Sequence, residues 1–91
     1  VERLREAGFA TAVCTNKPEG LTEELLRRLG VRGLFGALVG ADTLAVRKPD
    51  AAPYRLAVAR AGGAVARSMM VGDTETDHQT ARAAGVPSVL V

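Results

Sequence analysis

Ninety-one residues, 47% hydrophobic and 24% charged, describe one small globular domain and exclude a disordered or low-complexity segment. A net charge of +2, with one Tyr and two Phe, gives neither the basic footprint nor the stacking platform of a nucleic-acid binder, and no apolar run nears the ~20 residues of a membrane helix. Cys14 is the sole cysteine, so no internal disulfide can form and a reducing, cytoplasmic setting is expected.

Helix and strand patterns alternate along the chain. The amphipathic, charged start, Val1 to Glu6, is unlike a signal peptide, and Arg3 to Gly8 reads as the end of a helix with Gly8 as its stop. Phe9 to Cys14 is a short β-leaning run, broken by the turn chemistry of Thr15-Asn16-Lys17-Pro18. Leu21, Leu25, Leu26 and Leu29 recur at helical spacing before Gly30. Val31 to Gly36 is a connecting turn, and Ala37 to Gly40 a brief strand.

A loop from Ala41 to Pro49 follows, in which Asp42 is expected to order the segment carrying Lys48. Asp50 is placed as an N-cap, with Tyr54, Ala57, Val58 and Ala61 as the apolar face of its helix and Gly62-Gly63 as the end. Ser68 to Val71 reads as a strand in which Met69 and Met70 fill the core. The pattern then predicts a helix over Glu75 to Ala84, stopped by Gly85, and a last strand from Ser88 to Val91. Strands joined by helices of this length imply an α/β, Rossmann-like parallel sheet with right-handed crossovers. Both termini fall inside regular elements, so the chain reads as a piece of a longer protein.

Three polar groups sit at strand ends or helix starts. Thr15-Asn16 offers a hydroxyl and an amide ahead of a helix N-terminus, which suits phosphate oxygens or an ordinary Asx-type turn. Lys17 adjoins that turn and is within reach of the same ligand. Lys48 is held extended by Pro49, and its point charge suits a phosphoryl group or a solvated loop. Only two of the twelve basic residues are Lys, which marks positions 17 and 48. Asp73, after Gly72 at a strand tip, and Asp77, in the first helical turn, suit Mg²⁺ or the helix dipole. Cys14 reads as a small core hydrophobe and His78 as a surface or capping residue.

The order of these groups resembles motifs two to four of the haloacid dehalogenase-like hydrolase superfamily, over nearly the whole chain. The resemblance is nearest to phosphoglycolate phosphatases, through Cys14-Thr15-Asn16-Lys17-Pro18-Glu19, Gly40-Ala41-Asp42-Thr43-Leu44 with Arg47-Lys48-Pro49-Asp50, and Gly72-Asp73-Thr74-Glu75-Thr76-Asp77 with Ala81 to Pro87. It implies Mg²⁺-dependent hydrolysis of a small phosphomonoester, 2-phosphoglycolate foremost, through an aspartyl-phosphate. Thr15 and Lys48 would be catalytic, Thr15, Asn16, Lys17 and Lys48 would bind substrate, and Asp73 and Asp77 would serve the metal, Asp77 through water or by orienting Lys48. Another sugar-phosphate phosphatase, a phosphomutase or a non-catalytic remnant remain alternatives.

Two departures stand out. Ala51 occupies a position where the family usually carries proline. The family's nucleophile lies in an Asp-x-Asp pair, and Asp42, Asp50, Asp73 and Asp77 form no such pair. Residues 1–91 are therefore expected to be a partial core domain, without the nucleophile strand and the cap, and inactive alone. The absent strand would fall between those ending at Thr15 and Gly72. Those two strands would face a gap or pair with each other, exposing edges prone to homo-oligomerisation.

Overall fold

The computed structural model describes residues 2–90. In chain order the elements are α1 (Glu2–Glu6), β1 (Ala12–Cys14), α2 (Glu19–Arg28), β2 (Ala37–Val39), α3 (Ala51–Arg60), β3 (Met70–Gly72), α4 (Glu75–Ala84) and β4 (Ser88–Leu90), with single 3₁₀ turns at Arg32–Leu34 and Val65–Arg67. Val91, expected in the last strand, lies outside the described residues.

All strand pairs are parallel, as the helical crossovers require. Ala12, Val13 and Cys14 pair with Ala37, Leu38 and Val39. Met70, Val71 and Gly72 pair with Ser88, Val89 and Leu90. The sheet falls into two two-stranded halves, with β1 and β3 unpaired to one another, so of the two expected outcomes for these strands the gap is the one observed. Helices join the halves: α3 packs on β1, β2 and α4, while α4 packs on β3 and β4. Ala37, Leu38 and Val39 are all buried, the continuous apolar run typical of a strand covered on both faces.

The core gathers Tyr54, Met70 and Ala81, with Val58, Val65, Ala84 and Val86 around them. The phenol of Tyr54 is satisfied by the Ser68 hydroxyl at 2.6 Å, so its ring is buried without an orphaned O–H. Asp50 caps α3 as expected, accepting from Ala52 N at 2.8 Å. Gly85 ends α4 in the left-handed region, at φ 73°.

Three expectations need correction. Strand β1 starts at Ala12, and Phe9 is 60% exposed. Met69 is 52% exposed beside buried Met70, because side chains alternate about β3 and send Met69 and Val71 to the same bare face. In α2 the buried residue is Thr22, whereas Leu21, Leu25 and Leu29 are exposed. Helical spacing identified an apolar face there but not whether anything covers it.

Candidate phosphate-binding cleft

The carboxyl ends of β1 and β3 open on the same edge, where open α/β sheets place their ligands. Thr15 directly follows β1, and its N–H extends the pairing to Val39 O at 2.9 Å. Its hydroxyl accepts from Lys17 N at 3.2 Å, which folds residues 15–17 into a tight turn ahead of α2. Pro18 caps α2 without a side-chain bond.

The missing cap comes from across the fold. Asp42 Oδ1 accepts from Glu19 N at 2.8 Å, and a carboxylate at a helix N-terminus is favoured by both the free N–H and the dipole. Ala41 N donates to Lys17 O at 2.8 Å. The Thr43 hydroxyl accepts from Gly40 N at 2.8 Å and donates to Glu19 Oε2 at 3.1 Å. Contact this close needs Gly40, since a Cβ there would lie 2.4 Å from Glu19 N. Asp42 thus anchors the start of the loop to α2, while Lys48 is gripped elsewhere.

That second grip is Asn16. Its Nδ2 donates to Lys48 O, and its Oδ1 accepts from Lys48 N, both at 3.1 Å. The Lys48–Pro49 peptide is cis. The Lys48 side chain runs into the fold, and its Nζ donates to Asp77 Oδ1 at 2.5 Å, with both side chains 9% exposed. Asp77 Oδ2 accepts from the Thr74 hydroxyl at 3.0 Å, while Thr74 caps α4 by accepting from Asp77 N. Burial pushes the Asp77 carboxyl up. The Lys48 hydrogen bond and charge, with the Thr74 hydroxyl and N–H, outweigh that and hold it below the usual aspartate value. Gly72 makes room for this carboxylate: a Cβ there would sit 2.2 Å from Asp77 Oδ2.

Together these groups form an open cleft of about 390 Å³. It is lined by Thr15, Asn16 and Lys17 from the turn after β1, by Asp73, Thr74, Thr76 and Asp77 after β3, and by Lys48. The structure therefore brings all six predicted site residues into one place. It separates their tasks: the Asn16 carboxamide is engaged with the Lys48 main chain, and both Asp77 oxygens are engaged with Lys48 and Thr74. The exposed carboxylate of Asp73 has no hydrogen-bond partner among the described residues. Thr74 and Thr76 were not singled out as site residues in the sequence, although both follow the Gly72-Asp73 signal directly.

The donor set fits Mg²⁺ only in part. Among the described residues no three His, Cys, Asp or Glu side chains form a metal-binding group. An ion that keeps several waters and takes one carboxylate plus a phosphate oxygen is compatible with Asp73 alone. The Lys48 and Asp77 charges also reach Cys14: burial raises its thiol pKa, Lys48 opposes that, and Asp77 adds to it.

A family model described as haloacid dehalogenase-like hydrolase matches residues 1–85. A phosphoglycolate phosphatase of Mesorhizobium japonicum is 44% identical over 91 residues, covering 100% of this chain and 40% of the relative. One from Agrobacterium fabrum is 47% identical over 91 residues, covering 100% and 39%. Among solved structures, CbbY from Rhodobacter sphaeroides in complex with xylulose-(1,5)bisphosphate superposes with a TM-score of 0.85 at 26% identity, over 98% of this chain and 41% of that one. The chain thus spans about two fifths of the length of the relatives it matches.

Proposed function

This chain belongs to the haloacid dehalogenase-like hydrolase family, and from that premise we propose that it forms the phosphate- and metal-binding part of a phosphomonoesterase whose substrate is 2-phosphoglycolate. The observation that carries the reading is the convergence of the Thr15 hydroxyl, the Lys48 ammonium and the Asp73 carboxylate on one cleft. Identity of 44% to a relative named phosphoglycolate phosphatase favours that substrate.

The chemistry asked of these residues is positioning and charge neutralisation. Thr15, with the Asn16 N–H that follows it, is suited to hold non-bridging phosphoryl oxygens. Lys48, fixed between Asn16 and Asp77, brings a cation to the phosphoryl group, while Asp77 keeps that cation aimed and balances its charge at rest. Lys17, exposed at the same rim, is available to the carboxylate end of the substrate. Mg²⁺, held by Asp73, would neutralise charge on the phosphate oxygens. The nucleophilic carboxylate is proposed to belong to a segment outside these 91 residues, seated in the gap between β1 and β3.

The solved CbbY complex favours a second reading, in which the substrate is a sugar phosphate and the cleft acts on the same phosphoryl group. One experiment tests both. The DNA upstream of Val1 is expected to encode, in frame, an apolar run ending in Asp-x-Asp, and the encoded protein to release phosphate from 2-phosphoglycolate with Mg²⁺. Faster turnover of a sugar phosphate selects the second reading. A stop codon directly upstream, or no turnover of any phosphomonoester, overturns both.

A further inference from the structure

The Asn16 carboxamide is spent on a task that nothing in the reaction itself demands. It presents an acceptor to Lys48 N and a donor to Lys48 O, both at 3.1 Å, so it pairs with residue 48 as a neighbouring strand would. Only one orientation of the amide satisfies both groups, which fixes the assignment of its oxygen and nitrogen. The two residues are 32 positions apart, and both line the cleft. Asp42 and Thr43 hold the start of the same loop, but on Glu19, five residues or more before Lys48.

We propose that Asn16 is a positioning residue for Lys48: its carboxamide clamps the lysine main chain so that the ammonium meets the phosphoryl site, and that carboxamide is not itself a substrate contact. The functional consequence rests on the phosphatase reading; the clamp does not. A carboxamide is the one side chain of this length with both a donor and an acceptor in fixed geometry. Aspartate would keep the acceptor for Lys48 N and set an anionic oxygen against Lys48 O. Alanine would remove both bonds and leave the segment around Lys48 tied mainly through its ammonium.

The chain holds only two lysines, which makes the test direct. Native protein is treated with ¹³C-formaldehyde and a mild reductant, and methylation of Lys17 and Lys48 is followed by NMR, with Lys17→Arg and Lys48→Arg assigning the signals. Lys17 is exposed and serves as the internal reference, whereas the Lys48 side chain is 9% exposed and should react slowly. Losing two hydrogen bonds should make local opening roughly 10–30-fold more frequent, so N16A should speed Lys48 relative to Lys17 by about that factor. N16D should fall between the two and also serves if the alanine variant does not fold. Asp50→Ala, which weakens the α3 cap but not the clamp, should leave the ratio unchanged and separates positioning from general destabilisation.

Inorganic phosphate with Mg²⁺ is the second readout. The clamp predicts that N16A weakens phosphate binding only as far as it frees Lys48. An unchanged Lys48-to-Lys17 ratio in a folded Asn16 variant overturns the proposal, most plainly if phosphate binding is lost at the same time, since Asn16 would then be a direct ligand contact. Failure of the native chain to bind phosphate would instead count against the phosphatase reading and leave the clamp to the methylation result.

Discussion

Replacing Gly72 by alanine should destabilise the chain through one side chain, Asp77. Gly72 does not have a positive φ, so alanine brings no backbone strain. In a strand it should even help, by about 0.4–1 kcal/mol from the unfolded state. Against this, the new Cβ would lie 2.2 Å from Asp77 Oδ2 and 2.5 Å from Asp77 Cβ and Cγ. Relief requires Asp77 to recede by about an ångström, which breaks its 2.5 Å bond to Lys48 and its 3.0 Å bond to Thr74. Overpacking costs about 1–3 kcal/mol, and disrupting a nearly buried ion pair adds to it, so a net loss of about 2–4 kcal/mol is expected. That is a large share of the ~5–14 kcal/mol available to 91 residues. Urea unfolding of native, G72A, D77G and the double variant measures it as a cycle. In the D77G background the three clashing atoms are gone, and G72A should cost less than about 0.5 kcal/mol or stabilise. Equal cost in both backgrounds would refute the steric argument.

Three further outcomes follow from the same contacts. Because the folded Asp77 carboxyl sits below its usual value, its stabilisation is complete above the unfolded pKa and lost as pH falls through the folded one. The urea stability of the native chain relative to D77N should thus be flat from neutral pH to about pH 5 and shrink only below about pH 4; a difference that instead grows as pH falls toward about 4 would mean that burial dominates. Asp42→Ala should cost about 0.5–2 kcal/mol and speed hydrogen exchange at the Glu19 amide, whose acceptor it removes, and unchanged exchange there would contradict the cap. Cys14, with its thiol pushed up by burial, should react with iodoacetamide at pH 8 more slowly in the folded chain than in urea; equal rates would contradict that environment.

Local signals carried far in this chain, and long-range ones did not. Asp50 and Gly85 mark helix ends through their own backbone chemistry, so both were readable from neighbouring residues. The partner of Asp42 is 23 residues away and that of Asn16 is 32, and no periodicity encodes such pairings. Gly72 was legible as a turn residue, but its tighter duty is space for a side chain five positions on. The leucines of α2 were legible as an apolar face, yet exposure depends on what lies opposite. Of the cleft, the lining residues 15–17, 48, 73 and 77 were marked in the sequence, and orienting Lys48 was one of the two roles the resemblance implied for Asp77; the Asn16 grip on the Lys48 main chain was not legible.

Titration of the ¹⁵N-labelled chain with inorganic phosphate, with and without Mg²⁺, tests the convergence most directly. We predict weak, Mg²⁺-enhanced binding that shifts the amides of residues 15–17 and 73–76 together, abolished by Lys48→Ala and stripped of its Mg²⁺ dependence by Asp73→Asn. Phosphate that perturbs only one of those two segments, or binds equally well to both variants, would contradict a single shared cleft.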